Sequence, residues 1–240
     1  MTRAGILRYG SLVVPMFIAG SRLAGAADAA AGHTYRILVI STSKPSFDRF
    51  VNLMNAIAAQ VPGTVFTFEA MPEAPAIAQL VAGQADMIVP YPKSPMDDKP
   101  YVLSAAPVTK AYYVLYTNTA RPLDLTKIAQ YTIEGDRRNE GVLGLSLRQS
   151  TGPEDSLTKV HDGTIDGYIN AEGATDPALR TLGFKNIHRY LYKETQNYVL
   201  LPKTAAGRNV DQLLSQAVPR AAGTPGYDDM QKRPYGDWQP

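Results

Sequence analysis

The segment LVAGQADMI at residues 80–88 is echoed by VHDGTIDGY at residues 160–168. In both, the end of a helix-like stretch reaches a Gly-x-x-Asp turn and continues into a run that is typical of a strand. Gly83 and Gly163 fit the left-handed position that closes many helices. Gly-x-x-Asp alone is a common helix-to-strand turn, but two copies at equivalent points indicate two lobes that are built alike.

Strands and helices alternate on both sides of these turns. Around the first copy, the pattern predicts strands at 35–41, 64–69 and 85–90 and helices at 47–61 and 76–82. Around the second copy, it predicts strands at 142–147, 164–170 and 187–192 and helices at 154–161 and 176–182. Further strands are predicted at 112–116 and 198–202, and an amphipathic helix at 210–221. Such units predict an α/β fold with parallel strands and helices on the faces of the sheet.

Composition narrows the possible chemistry. The 240 residues are 45% hydrophobic and 19% charged, as expected of a globular chain. The absence of cysteine excludes disulfides, thiolate metal sites and a cysteine nucleophile. Three histidines leave little for a metal site, because zinc sites without cysteine depend on several of them. We therefore expect no metal and no cofactor.

Residues 1–26 have the features of a secretory signal peptide. Arg3 and Arg8 give a positive start, SLVVPMFIAG at 11–20 is a short apolar run, and Ala24-Gly25-Ala26 is a small-x-small cleavage site. The apolar run is shorter than the roughly 20 residues that span a bilayer, so cleavage is favoured over an uncleaved membrane anchor. The mature chain is therefore expected to be periplasmic.

Much of the positive charge belongs to that signal. The formal net charge is +2, from 24 basic and 22 acidic residues. Cleavage after Ala26 removes Arg3, Arg8 and Arg22 and no acid, which leaves 21 basic residues against 22 acidic ones and a net charge of −1. Nucleic-acid-binding proteins carry a strongly basic patch or stripe, so nucleic acid is not expected as a partner.

A series of short motifs runs along nearly all of the mature chain. They are LVAGQAD at 80–86, LSAAPV at 103–108, GLSLRQSTG at 144–152, the second Gly-x-x-Asp turn, VDQLL at 210–214, Gly223 and YGDW at 235–238. In order and spacing, the series resembles the type II periplasmic solute-binding proteins, the family that includes the polar amino-acid receptors of ABC importers.

The resemblance implies a two-lobed fold with two hinge crossovers, near 116–118 and 194–198. Lobe one would comprise 34–116 and 198–240, and lobe two would comprise 119–195. It also implies that a small molecule binds between the lobes, at the carboxyl ends of the strands, and that hinge motion closes the cleft. The protein would act as a monomer and would present its ligand to an inner-membrane transporter or sensor.

Loops at the carboxyl ends of the predicted strands supply the candidate ligand-binding residues. These are Ser41, Thr42, Ser43, Lys44, Tyr91, Arg148, Gln149, Ser150, Thr151, Asn170 and Glu172. Hydroxyls, backbone N–H groups and the Arg148 guanidinium would suit an anion, and Tyr91 would stack on or hydrogen-bond a ligand. Glu172 lies where the family often carries an acid for a ligand amine.

All of these candidates except Asn170 have a purely structural alternative. The stretch from Ser41 to Lys44 would be solvated beside a helix that Ser46 caps. Tyr91 would pack against its two neighbouring prolines. Arg148 to Thr151 would be a surface turn, and Glu172 would be a solvated loop acid.

The chain departs from the amino-acid receptors at one position. Those receptors carry an arginine before the Ser-x-Pro segment, which binds the ligand's α-carboxylate. Here no arginine lies between Arg49 and Arg121, and Asp97 stands about where it would be. Lys99 would supply a point charge without the bidentate fork of arginine. An α-amino acid is therefore not the expected ligand.

Three functions remain, namely a solute receptor, a ligand sensor or accessory module, and an enzyme of the same fold. Catalysis would need a positioned acid–base pair, for which Glu172 and a histidine are the candidates. His161 lies on a predicted helix and His188 on a predicted strand, both away from the strand ends. The sequence carries no Gly-x-Ser-x-Gly, His-Glu-x-x-His or P-loop motif, so we expect a binding protein without catalytic residues.

Overall fold

The computed structural model describes residues 33–40, 44–93 and 96–232. The predicted signal peptide at 1–26, the candidates Ser41, Thr42 and Ser43, and the YGDW motif at 235–238 lie outside the described residues. Within the described ranges, no helix is both long and apolar enough to cross a membrane.

The described elements alternate between strands and helices for most of the chain. The strands are β1 His33–Val39, β2 Thr64–Ala70, β3 Met87–Pro92, β4 Tyr101–Leu103, β5 Thr109–Asn118, β6 Ile133–Gly135, β7 Arg148–Gln149, β8 Gly167–Ala171 and β9 Ile187–Pro202. The α-helices are α1 Lys44–Ala58, α2 Glu73–Val81, α3 Glu140–Leu143, α4 Pro153–Asp162, α5 Glu172–Leu182, α6 Ala205–Ala221 and α7 Pro225–Gln231. Leu125–Gln130 and Arg137–Asn139 are short 3-10 helices.

Two sets of parallel strands are joined by two long antiparallel ones. The strand order is β2-β1-β3-β9-β5-β8-β6-β7, and β4 pairs with β9. β1 is parallel to β2 and β3, and β6 is parallel to β7 and β8. β5 and β9 are antiparallel to each other and connect the two sets. The predicted α/β fold with parallel strands is confirmed.

Each parallel set has its own hydrophobic core on both faces. In the first set, Leu53 of α1 and Leu214 of α6 pack on one face, and Leu80 of α2 packs on the other. In the second set, Leu157 of α4 packs on one face and Leu143 of α3 on the other. Because the two halves bury their apolar side chains separately, they form two lobes.

The crossovers lie within β5 and β9. Val108 and Val199 belong to the core of lobe one, whereas Tyr113 and Tyr192 pack in lobe two. We therefore propose that the first crossover lies at 109–112 instead of near 116–118, because the residues from Tyr113 to Tyr116 are buried against lobe two. The second crossover, at 194–198, remains part of the same proposal.

The two Gly-x-x-Asp turns have the same internal structure. Gly83 and Gly163 both adopt left-handed backbone conformations, with φ of 70° and 72°. The Asp86 carboxylate accepts the N–H of Arg36 at 2.8 Å, and its own N–H donates to the Arg36 carbonyl at 3.0 Å. Asp166 makes the same pair of hydrogen bonds with Thr132, at 2.7 and 3.1 Å. Each aspartate thus ties its turn to the neighbouring strand, which explains the repeated motif.

Several local predictions in lobe two were wrong. The segment 142–147 was predicted as a strand, but Val142 and Leu143 end helix α3, and Gly144 closes it with φ of 70°. The strand that follows, β7, holds only Arg148 and Gln149. Strand β6 was not predicted, and the strands predicted at 187–192 and 198–202 are one continuous strand, β9. Short apolar runs do not distinguish a helix from a strand by their pattern alone.

Candidate ligand-binding cleft

A cavity of about 570 Å³ lies between the lobes, at the carboxyl ends of the strands. Its wall in lobe one includes Tyr91 at the end of β3 and Glu73 at the start of α2. Its wall in lobe two includes Asp136 after β6, Ser150 after β7 and Asn170 at the end of β8. Carboxyl ends of strands are where α/β proteins bind ligands, and the volume suits a small molecule.

A tyrosine and a glutamate form the polar part of the wall in lobe one. The Tyr91 hydroxyl donates to Oε1 of Glu73 at 3.2 Å. Burial, with the nearby Glu73 charge, raises the pKa of Tyr91 well above its usual value. Tyr91 therefore stays a neutral hydrogen-bond donor at physiological pH.

The facing wall in lobe two carries Arg138, whose guanidinium is oriented by a carboxylate of the same lobe. Nε of Arg138 lies 2.9 Å from both carboxylate oxygens of Asp136, and Nη2 also donates to this carboxylate. Burial opposes ionisation of Asp136, but the hydrogen bonds and charge of Arg138 outweigh it and lower the pKa of Asp136. Burial and the Asp136 charge raise the pKa of Tyr113, which lies beside them, to about 12.

The two walls are joined by an ion pair. Nη1 of Arg138 donates to Oε2 of Glu73, so a guanidinium of lobe two holds a carboxylate of lobe one. Both residues line the cavity. The structure thus brings together Tyr91, Glu73, Arg138 and Asp136 in one hydrogen-bonded group.

Six of the predicted site residues line the cavity. They are Tyr91, Gln149, Ser150, Thr151, Asn170 and Glu172. Lys44, in contrast, is paired with Asp48 at 2.6 Å, its side chain is 81% exposed, and it does not line the cavity. Arg148 is exposed and also lies outside the cavity wall. Because side chains alternate along a strand, Gln149 of β7 faces the cleft and Arg148 does not.

The Ser150–Gly152 loop is held by a buried polar network. The Ser150 hydroxyl lies 2.8 Å from that of Ser156, which donates to Oε2 of Glu134 at 2.6 Å. Lys159 donates to Oε1 of Glu134 at 3.0 Å and so balances its charge. The network fixes Ser150 at the edge of the cavity, where its hydroxyl can meet a polar ligand.

Asn170 and Glu172 occupy different environments although they are close in sequence. The Asn170 amide donates to the Tyr168 hydroxyl at 2.8 Å and lies at the cavity wall. Glu172 is the first residue of α5 instead of a loop residue, and its side chain is only 5% exposed. The buried Arg189 lies 2.9 Å from its carboxylate and compensates its charge. The alternative of a solvated loop acid therefore does not describe Glu172.

Sequence reasoning missed the charged residues at the centre of the cleft. Asp136 and Arg138 were not selected because β6 was not predicted, so the loop after it was not treated as the end of a strand. The signal there was weak, because Ile133-Glu134-Gly135 carries only one apolar side chain before the turn Asp136-Arg137-Arg138. Glu73 was not selected because the helix was predicted to begin at residue 76, whereas α2 begins at Glu73. Arg49 was also missed; its Nη2 donates to carbonyl oxygens at the end of α7, of which Met230 is 3.2 Å away.

The cleft offers hydroxyls, amides and charged groups to a ligand. Among the described residues, no cluster of His, Cys, Asp and Glu side chains could hold a metal ion. His161 stacks on Phe184 and His188 stacks on Tyr190, each with ring centres 4.0 Å apart, and neither lines the cavity. The arrangement suits recognition of a small polar molecule by hydrogen bonds and aromatic contacts.

Comparison with known proteins gives matches at the level of structure. No known family model matches the sequence, and no curated protein does. A histidine kinase sensor domain with similarity to periplasmic binding proteins superposes with a TM-score of 0.65 and 16% identity, over 83% of this chain and 95% of that one. An ABC uptake transporter substrate-binding protein from Streptococcus pneumoniae with bound histidine has a TM-score of 0.62 and 14% identity, over 85% and 92% of the two chains.

A third neighbour is the arginine-, lysine-, histidine-binding protein ArtJ from the thermophilic bacterium Geobacillus stearothermophilus. Its TM-score is 0.61 at 15% identity, over 82% of this chain and 95% of that one. Identities this low establish the fold alone. The fold is that of the type II periplasmic binding proteins, and the predicted two-lobed architecture is confirmed. These neighbours are binding proteins and a sensor domain, not enzymes.

Proposed function

We propose that this chain is a periplasmic solute-binding protein. It captures a small molecule between its lobes, closes by motion about β5 and β9, and presents the closed form to a membrane transporter. The observation that carries the proposal is the cavity of about 570 Å³, which both lobes line at the carboxyl ends of their strands. Hinge closure around a ligand is the motion that such a two-lobed architecture allows.

A sensor role is the alternative that one observation favours. The histidine kinase sensor domain among the neighbours is covered over 95% of its length. In that role, the same closed form would report to a membrane kinase instead of a permease. Chemical crosslinking in cells would separate the two functions, because a transporter role predicts crosslinks to a permease and a sensor role predicts crosslinks to a kinase.

The absence of catalysis is part of the proposal. Both described histidines that could act as a base are stacked on aromatic rings away from the cavity, and Glu172 is paired with Arg189. A ligand incubated with the protein should therefore be recovered chemically unchanged, as NMR of the mixture would show. Turnover of the ligand would favour the enzyme alternative.

Export can be tested at the N-terminus. We expect the mature protein in the periplasmic fraction to begin at Ala27, after cleavage of the signal peptide. N-terminal sequencing of that fraction would show this directly. A mature chain that retains Arg3 and Arg8 would point to the uncleaved anchor.

A thermal-shift screen of small metabolites tests the central proposal. Binding at a hundredfold excess over Kd adds about 2.7 kcal/mol of stability, which corresponds to a Tm increase of roughly 5–10 °C for a domain of this size. Asn170→Ala, at the cavity wall, should reduce the shift. Arg148→Ala, on the adjacent exposed surface, should leave it unchanged. If no compound raises the Tm of the folded protein, the proposal loses its support.

A further inference from the structure

The ion pair between Glu73 and Arg138 spans the cleft. Glu73 begins α2 in lobe one, and Arg138 belongs to the short helix after β6 in lobe two. The two residues are 65 positions apart in the sequence, and both line the cavity. Their contact therefore depends on the closeness of the lobes and not on local structure.

Each member of this pair also has a partner in its own lobe. Glu73 accepts the Tyr91 hydroxyl at 3.2 Å and lies in the first turn of α2, where the helix dipole favours a carboxylate. Arg138 keeps both oxygens of Asp136. If the lobes separate, neither charge is left without a partner, so the contact across the cleft can break and form reversibly.

The three nitrogens of the Arg138 guanidinium donate to two different carboxylates. Nε and Nη2 face Asp136, which fixes the plane of the group. Nη1 points toward lobe one and holds the Glu73 carboxylate. The planar Nε–Nη2 edge is thus occupied by Asp136, and Nη1 is the nitrogen whose charge-assisted hydrogen bond to a carboxylate of lobe one could pass to another anion.

We propose that Arg138 is the anion-binding group of the cleft and that Glu73 occupies it while no ligand is bound. The ligand then carries a carboxylate, phosphate or similar anionic group, which displaces Glu73 and accepts the hydrogen bonds of Arg138 and Tyr91. This inference rests on the proposed binding function and adds a ligand class to it. It also replaces Arg148, which the sequence favoured, with an arginine that the fold brings to the cavity.

The exposure of the pair indicates how strongly Glu73 competes. The Arg138 side chain is 62% exposed and that of Glu73 is 21% exposed. Ion pairs with such access to water are individually weak, so Glu73 is a competitor that a ligand can displace. Removal of the Glu73 carboxylate should strengthen the binding of an anion by about threefold. Removal of Arg138 should make an anion and its neutral analogue bind with equal affinity.

Chemical rescue tests the proposal with a defined probe. The chain has no cysteine, so Val81→Cys in lobe one and Leu125→Cys in lobe two, both exposed positions, accept a pair of fluorophores. Energy transfer between them reports the separation of the lobes. We expect Glu73→Ala to lengthen this distance, acetate to restore it at constant ionic strength, and acetamide to have no effect. In Glu73→Ala with Arg138→Gln, acetate should also have no effect.

The controls distinguish the proposal from an effect on folding. Glu73→Gln keeps the shape of the side chain and should open the lobes as Glu73→Ala does, and Arg148→Gln should leave them closed. An unchanged distance in both Glu73 variants would overturn the role of Glu73. Rescue by acetate that persists without Arg138, or equal rescue by acetamide, would overturn the anion site.

This experiment needs no physiological ligand. Its failure is therefore distinct from a metabolite screen that finds no ligand. If the screen does find one, the compound should be anionic and should bind at least tenfold more weakly to Arg138→Gln than to Arg148→Gln. A neutral ligand that binds both variants equally would contradict the proposed class.

Discussion

Arg189→Met should destabilise lobe two by removing a cation that pairs with two buried carboxylates. Arg189 pairs with Glu172 at 2.9 Å and donates to both carboxylate oxygens of Asp176, of which Oδ1 also accepts the Tyr116 hydroxyl at 2.6 Å. The side chains are 11%, 5% and 3% exposed for Arg189, Glu172 and Asp176. Methionine has a similar length and is apolar, so the main change is the loss of the charge.

The expected magnitude follows from this burial. Removing one partner of a buried ion pair costs about 3–5 kcal/mol, because the remaining charge is left desolvated. For a domain of this size, each kcal/mol changes Tm by roughly 2–4 °C, so the Tm should fall by roughly 6–20 °C. Arg148→Met makes the same substitution at an exposed position of the same lobe and should cost less than about 0.5 kcal/mol.

The stability loss of Arg189→Met should also depend on pH, which a loss caused by packing would not. Burial already raises the pKa of Asp176 in spite of Arg189, and the substitution should raise it further. A carboxyl group whose pKa is higher in the folded than in the unfolded protein stabilises the fold at pH values below its unfolded pKa. This stabilisation is lost as the pH rises through the folded pKa. The destabilisation of Arg189→Met should therefore be largest at neutral pH and should shrink as the pH falls toward about 4.

Urea denaturation of both variants across this pH range, followed by circular dichroism, measures the effect. Adding Asp176→Asn to Arg189→Met should recover part of the lost stability, because one stranded charge disappears. A loss that is independent of pH and that Asp176→Asn does not reduce would refute the electrostatic explanation and point to packing instead.

Three further predictions concern the turns and the network behind the cleft. Asp86→Ala and Asp166→Ala should each cost about 1.5–3 kcal/mol in urea denaturation, because each removes a charged acceptor from a backbone N–H. Clearly unequal costs would contradict the equivalence of the turns. Gly83→Ala should cost about 1 kcal/mol, because its φ of 70° strains an L-residue. No atom crowds the new methyl group, so this backbone strain is the whole expected cost. A stability equal to that of the unmodified protein would contradict the left-handed turn. Ser156→Ala should cost about 1–3 kcal/mol by leaving Glu134 short of a donor, and unchanged stability would remove Ser156 from the network.

Much of the fold was predictable because its signals are local. The Gly-x-x-Asp turns, with φ of 70° and 72° at their glycines, mark equivalent helix-to-strand transitions that the sequence shows directly. Strand β6, in contrast, holds only three residues, and its strand conformation depends on its pairing with β7 and β8. Val142 and Leu143 fit a strand or a helix equally well, and only their packing in lobe two decides for the helix.

Part of the site was predictable because it lies at the end of strands that the sequence reveals. Tyr91 and Asn170 were found in this way, at the ends of β3 and β8, and both line the cavity. Arg148 and Gln149 could not be separated without the direction of β7, which turns one residue toward the cleft and the other away. The pairing of Glu73 with Arg138 bridges 65 positions of sequence, and no local pattern encodes a contact of that kind.

Hydrogen exchange of the protein with and without a ligand from the metabolite screen tests the central claim most directly. If the ligand binds between the lobes, slower exchange should appear on both walls together, around Tyr91 in lobe one and around 136–139 and 170–174 in lobe two. The outer helices should change little. Protection confined to one lobe, or located on the outer groove at Lys203 and Arg208, would contradict a cleft that closes on its ligand.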